Sequence, residues 1–290
     1  VNRPPAEVAI DEDLVRALLQ DQAPQHAHLP LHLVGDHGWD NTVYRLGNDH
    51  GLRLPRRATA ATLLANELRW LPELAPRLPL PVPEPVVAGH PAHGYPWPWA
   101  VVRWVPGDPI GTSDVASIDP LLAFLDALHQ PAPADAPRNP YRGVPLADRD
   151  ARLRDGCARL ARRGWDVAPI LRTWDRALAV EPYAGPPLWL HGDLHTANAL
   201  AQRASISGVI DFGDLTAGDP ACDYLIAWML APHHRRRLRL AAERHGPGAF
   251  ERARGWAVAW AVAVLGASDD TPLLLAIGSK ALAAACGSEG

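Results

Sequence analysis

The spacing of apolar side chains changes character part-way along the chain. Residues 14–20 read as a short amphipathic helix, and residues 26–35 begin as loop and lead into a strand. Apolar runs at 43–46 and 51–54 flank Gly47-Asn48-Asp49-His50-Gly51, a set of turn formers, so the pair reads as a β-hairpin. Between 59 and 75, apolar residues at 63, 64, 68, 71 and 74 follow the period of a helix. Proline is too dense from 76 to 98 for regular helix. Residues 100–105 form a compact apolar strand that carries Arg103.

Pro106-Gly107-Asp108-Pro109 breaks the chain, and the pattern beyond it is mainly helical. Helices are predicted at 119–130, 148–163 and 169–180, strands at 188–190, 199–202 and 206–210, and helix throughout 221–286. The expected class is α+β. A small, mostly β N-terminal lobe spans residues 1–105, and a larger helical C-terminal lobe spans residues 106–290.

Composition removes several chemistries. Of the 28 basic residues 27 are arginine, and the one lysine is Lys280. A phosphate loop of the Gly-x-x-x-x-Gly-Lys type needs a lysine after a glycine-rich turn, and Lys280 has no such turn before it. A Ser-x-x-Lys nucleophile fails because position 277 is Ile. Schiff-base chemistry would rest on that single late lysine. A net charge of −4 argues against nucleic acid as a partner. Cys157, Cys222 and Cys286 are odd in number and far apart, which suits free thiols in a reducing compartment. Residues 1–13 lack an apolar signal core, and the apolar run 256–267 is too short to span a bilayer. The expectation is a soluble cytoplasmic protein with no membrane partner.

The chemistry concentrates in Leu190-His191-Gly192-Asp193-Leu194-His195-Thr196-Ala197-Asn198, a polar loop held between two predicted strands. Val209-Ile210-Asp211-Phe212-Gly213-Asp214 follows a short turn later. A carboxylate, an amide five residues on and a second carboxylate after the next strand are hard oxygen groups suited to Mg²⁺. Their spacing matches the phosphoryl-transfer template, in which an Asp and an Asn stand five apart and a metal-binding Asp opens Asp-Phe-Gly. Two other readings use the same residues. The alternation His191, Asp193, His195 suits a zinc or iron site, which leaves Asn198 and Asp211 without a role. A polar loop with capping aspartates is the plainer alternative.

With Gly218-Asp219-Pro220-Ala221-Cys222-Asp223 added, these segments resemble the aminoglycoside phosphotransferase family, which also includes choline-kinase-like enzymes and other antibiotic kinases. The resemblance covers most of the chain and is weakest at 110–185 and after 230. It implies a bilobal protein-kinase-like fold with a nucleotide cleft. It implies Mg²⁺ as cofactor and ATP or GTP as donor. The implied acceptor is a small-molecule hydroxyl, on an aminoglycoside or another sugar-containing antibiotic. A metabolic kinase for choline, a sugar or a hydroxy-amino acid, or a nucleotide-binding pseudokinase, are the alternatives.

By position, the resemblance makes Asp193 the catalytic base or orienter of the acceptor hydroxyl, and Asn198 and Asp211 the metal ligands. His191 becomes a structural hydrogen-bonder of the loop, Asp219 the residue that ties the loop down, and Asp223 the opening of the next helix. Asp214, with Asp269 and Asp270, offers negative charge to a cationic acceptor. The family's strand lysine is missing: Arg53 stands in its place, opposite Glu67 on the following helix. Arginine stays charged and forks to phosphate oxygens. Gly35-Asp36-His37-Gly38-Trp39-Asp40-Asn41-Thr42 stands where a phosphate-covering loop belongs, with Asn41 and Thr42 as donors. Backbone groups near Trp104 and Val105 are placed at a hinge against the purine. The Tyr95–Trp99 aromatic run reads as a packed turn rather than a ligand wall, and the arginines at 235–239 read as a solvated helix face.

Overall fold

A computed structural model describes residues 5–34, 40–267 and 271–287. The glycine-bearing stretch 35–39, and Asp269 and Asp270, lie outside the described residues. The chain forms two compact units. Among the described residues, one comprises those of 5–106 together with 209–213, and the other comprises 107–208 and those of 214–287.

The first unit opens with α1 (Glu12–Gln22), whose first turn is capped by the Asp11 side chain accepting from Leu14 N–H at 2.9 Å. It continues through β1 (Leu31–Leu33), β2 (Asn41–Leu46), β3 (His50–Pro55), α2 (Ala58–Leu74), β4 (Pro85–Gly89) and β5 (Trp99–Arg103). The strands form one sheet in the order β1-β2-β3-β5-β4, antiparallel throughout. β4 lies inside the proline-rich stretch that the sequence pattern excluded from regular helix. It pairs on one side only, and an edge strand tolerates a residue without an N–H.

Strand alternation sorts the side chains of this sheet onto two faces. Tyr44, Leu46, Leu52, Leu54, Trp99 and Val101 pack with Val15, Leu18 and Leu19 of α1. Ala100 and Val102 pack instead with Leu64 of α2. The Tyr95–Trp99 run belongs to the first cluster: Trp99 is fully buried, and Tyr95 Oη donates to Pro55 O at 2.8 Å.

The second unit comprises β6 (Asp108–Pro109), α3 (Asp119–Leu128), α4 (Asp150–Arg162), α5 (Ala168–Leu178), β7 (Leu188–Leu190), β8 (Ala199–Gln202), β9 (Ser205–Val209), β10 (Thr216–Gly218), α6 (Arg235–Ala242), α7 (Ala249–Ala267) and α8 (Pro272–Cys286). Two small ribbons, β10-β7 and β6-β8-β9, hold the loop between β7 and β8 at both ends. The stretch 221–286 is not uniformly α-helical: Pro220–Trp228 coils as a 3₁₀ helix with every residue buried. α7 is buried on nearly all sides, as its apolar sequence requires, and packs on α4, α5 and α8. Arg237 of the basic run and Arg244, just beyond α6, pair with Asp119 and Asp126 of α3. Lys280, on α8, donates to Thr112 O at 3.2 Å. No helix among the described residues is long and apolar enough to cross a membrane.

Candidate active site

In the first unit, the sheet's alternation puts Arg53 on the opposite face from Leu52 and Leu54, towards α2. Glu67 lies three residues after Leu64 and four before Leu71, on the inward stripe of that helix. The two meet as a buried ion pair, with Nη1 of Arg53 2.5 Å from Oε1 of Glu67. Glu67 is wholly buried and Arg53 is 8% exposed. Nη2 of Arg53 also lies 3.5 Å from Oδ1 of Asp211. Burial disfavours the guanidinium charge, but Glu67 and then Asp211 outweigh it and hold Arg53 above its ordinary range. An arginine thus makes the strand-to-helix pair that a lysine makes in the template.

Asp211 has φ +65, a left-handed conformation that costs a non-glycine residue about 1–3 kcal/mol. Its side chain is 58% exposed, so the strain turns a carboxylate outward rather than into packing.

In the second unit, the loop from His191 to Asn198 is braced by its own side chains. His191, fully buried, accepts at Nδ1 from Asp193 N–H (3.2 Å). His195 accepts at Nδ1 from Ala197 N–H (3.2 Å), which leaves the Nε2 proton facing Asp193 Oδ2 at 3.3 Å. Asn198 donates from Nδ2 to Asp193 O at 3.0 Å. These contacts fix the Asp193 backbone from both sides.

Two assignments made from position change. Asp223, not Asp219, ties the loop: its carboxylate accepts from His191 N–H and Gly192 N–H, both at 2.9 Å. Asp219 instead caps the following 3₁₀ helix through Ala221 N–H (3.0 Å) and pairs with buried Arg252 at 2.8 Å. Residue spacing could not separate two aspartates four apart; the winding of the segment between them decides which one turns back to the loop. Asp214 is not free to meet a cationic acceptor. Its oxygens are taken by Asn139 Nδ2 (2.7 Å) and Arg142 Nε (3.1 Å).

Arg142 was not signalled by any motif. Its Nη2 is 2.7 Å from Asp193 Oδ1. Burial alone would raise the Asp193 carboxyl, but Arg142, then His195, hold it well below the usual carboxylate range. The only sequence trace of this partner is Asn139-Pro140-Tyr141-Arg142-Gly143, a polar run in a proline-rich linker.

The remaining nucleotide-binding candidates divide by face. Thr42 pairs with Leu54 and Asn41 with Pro55 across the β2–β3 ladder. Thr42 therefore shares the α1-facing side of the sheet with Leu54, and only Asn41 lies on the face of Arg53. Asn41 Oδ1 is buried and accepts no hydrogen bond among the described residues. Trp104 gives its N–H to Asp49 O (2.8 Å), and its ring lies 4.0 Å beneath the Arg45 guanidinium. Val105 is buried beside it.

Each donor, taken within its own unit, is of the hard-oxygen kind that suits Mg²⁺. With Asn198 Nδ2 spent on Asp193 O, the amide presents its oxygen, and Asp211 presents an exposed carboxylate. The zinc or iron reading of the His191–His195 alternation is disfavoured, since Nδ1 of each imidazole accepts from a backbone N–H, which puts the ring proton on Nε2 and leaves neither nitrogen a free lone pair.

The chain is 27% identical over 116 residues to an aminoglycoside 3'-phosphotransferase of Escherichia coli, a match spanning 38% of this chain and 42% of that relative. A GDP complex of aminoglycoside 2'-phosphotransferase-IIIa superposes with a TM-score of 0.70 at 19% identity, over 96% of this chain and 99% of the other. The macrolide 2'-phosphotransferase MphH of Brachybacterium faecium, as apoenzyme, superposes with a TM-score of 0.57 at 25% identity, covering 88% and 91% of the two chains. The model of the phosphotransferase enzyme family named APH matches residues 34–257. With most of its length matched, and with the buried Arg53–Glu67 pair and braced Asp193 loop in place, the chain belongs to the phosphotransferase enzyme family.

Proposed function

We propose that the chain is a kinase that transfers the γ-phosphoryl group of ATP or GTP to a hydroxyl of a sugar-containing antibiotic. The observation that carries this reading is Asp193: a carboxylate on a loop braced by His191, His195, Asn198 and Asp223, held ionised and 22% exposed. Asp193 orients the acceptor oxygen. Arg53, fixed by Glu67, grips the donor phosphates, and a forked guanidinium suits two phosphate oxygens at once. Asn198 and Asp211 would hold Mg²⁺, which when bound would neutralise charge on the phosphates. Trp104 N–H is committed to Asp49, so the purine edge is read by Val105 and its neighbours.

Because its carboxyl lies below the usual range, Asp193 is a weak base, and positioning rather than early proton removal is its main contribution.

One observation bears on the acceptor. Aminoglycosides are polycations and call for uncompensated carboxylates. Here the guanidinium of Arg142 bridges Asp193 and Asp214. This favours a sugar-containing antibiotic with few positive charges over an aminoglycoside. The test is an ADP- and GDP-release screen with both nucleotides over aminoglycosides, macrolides, choline, simple sugars and hydroxy-amino acids. Release stimulated by a weakly charged glycosylated antibiotic supports the reading. Stimulation by choline, a sugar or an amino acid alone makes the chain a metabolic kinase, and nucleotide binding without turnover makes it a pseudokinase.

A further inference from the structure

The segment between α3 and α4 is held against the β7–β10 ribbon by a dense set of contacts. Ala217 N–H and Thr216 Oγ1 both donate to Pro137 O, at 3.1 and 3.0 Å. Thr216 Oγ1 accepts from Asn139 N–H (2.8 Å), and Asn139 Nδ2 donates to Asp214 Oδ1 (2.7 Å). Gly143 O accepts from Asp219 N–H at 2.9 Å.

The last contact is a backbone-on-backbone approach. Gly143 has φ +63, and a Cβ there would meet Leu190 Cδ1 at 2.4 Å. A Cβ on Gly218 would stand 2.2 Å from Gly143 O. Two facing glycines therefore allow this strap to seat, and its register on β10 fixes where the neighbouring side chain reaches. That side chain is Arg142. It reaches Asp193 Oδ1 at 2.7 Å and Asp214 Oδ2 at 3.1 Å, with the three side chains only 20%, 22% and 24% exposed.

We propose that Arg142 is a positioning residue: a clamp, delivered by the strap, that locks the Asp193 carboxylate against Asp214 and so fixes the direction in which it presents its remaining lone pairs to the acceptor oxygen. This rests on the kinase reading above. An unclamped carboxylate rotates about its own side-chain bonds and is pushed away by Asp214 once the shared cation is gone. A misplacement of about 1 Å costs on the order of 100-fold in rate. The ion pairs of Arg142 are to Asp193 and Asp214 and not to the Arg53–Glu67 pair, so the loss falls on turnover and not on nucleotide capture.

The experiment measures hydrolysis of Mg-ATP and Mg-GTP with water as the acceptor, in wild type, Arg142→Ala and Arg142→Lys. The expected result is a kcat lowered about 100-fold in Arg142→Ala, with nucleotide KM within about twofold of wild type. Arg142→Lys, or added guanidinium, restores about a tenth of the loss or more. A merely structural strap residue would raise KM as kcat falls and would not respond to guanidinium; that result, or an unchanged kcat, overturns the clamp while leaving the kinase reading intact. A wild type without turnover against water or any acceptor overturns both. Independently of activity, the melting temperature lost in Arg142→Ala should be partly recovered in Arg142→Ala/Asp193→Asn, where Asp214 keeps its Asn139 hydrogen bond and no longer faces a second carboxylate. Strictly additive shifts would refute the bridge.

Discussion

His129 Nε2 lies 3.1 Å from Asp223 Oδ2, and neither side chain is exposed to solvent by more than 1%. The same carboxylate receives the N–H groups of His191 and Gly192, so one buried aspartate joins the end of α3 to the start of the Asp193 loop. Removing it strands two backbone donors and an imidazole. Asp223→Ala should cost about 3–5 kcal/mol in chemical denaturation and should also lower kcat. His129→Gln, which spares the loop hydrogen bonds, should cost only about 1–2 kcal/mol. An Asp223→Ala variant as stable as wild type would contradict this anchoring.

The Arg53–Glu67 pair predicts an asymmetric response to substitution. Arg53→Ala leaves Glu67 buried without its cation, so stability should fall by about 3–5 kcal/mol and nucleotide affinity by at least tenfold. Arg53→Lys keeps a charge but is shorter and single-pronged, and should retain a measurable part of both. Binding of a fluorescent nucleotide, read with and without Mg²⁺, checks it; indifference to both substitutions removes Arg53 from phosphate binding.

Asp193 and Asp211 should separate by what they disturb. Asp193→Ala is expected to lower kcat by about 10²–10⁴-fold with nucleotide affinity nearly intact. Asp211→Ala should instead abolish the dependence of nucleotide affinity on Mg²⁺, and a chelator should arrest wild type to the same floor. Near-normal turnover in Asp193→Ala would end its assigned role.

Acid should weaken the fold through His245. Burial, then His129 and Arg244, hold His245 down to about 4, below its ordinary 6.5. The unfolded chain therefore binds a proton that the folded chain refuses across that window. Stability contributed by the neutral imidazole is present above pH 6.5 and is lost as pH falls towards 4. After discounting for partial solvent access the loss is about 1–2 kcal/mol. Urea unfolding at stepped pH should show this slope in wild type and a shallower one in His245→Gln.

How legible the molecule is in its sequence depends on the range of each contact. The hairpin β2–β3, helix α2 and strands β7 and β8 follow from local periodicity and turn residues, whereas Arg53 and Glu67 were singled out by the family resemblance, and strand alternation and helical spacing then bring them together as an ion pair. Asp193, Asn198 and Asp211 stood out because their spacing along the chain is itself the chemistry. Thr42 was misplaced by grouping it with Asn41, although adjacent strand residues face opposite ways. Asp219 and Asp223 exchanged roles because a 3₁₀ winding cannot be told from an α-helix in a short apolar run. Arg142 was invisible because its importance comes from a tertiary docking, 51 residues away from Asp193 along the chain, with nothing periodic to mark it.

The arginine at position 53 has a consequence for chemical probing. Acyl-phosphate nucleotides label kinases by acylating the amine that grips their phosphates. In this chain the one side-chain amine, Lys280, is occupied with Thr112 O, and the residue paired with Glu67 is a guanidinium that does not acylate under such conditions. A survey of nucleotide-binding proteins by amine capture would pass this one over, however tightly it held its donor, and inhibitors that anchor covalently on that amine would find no handle.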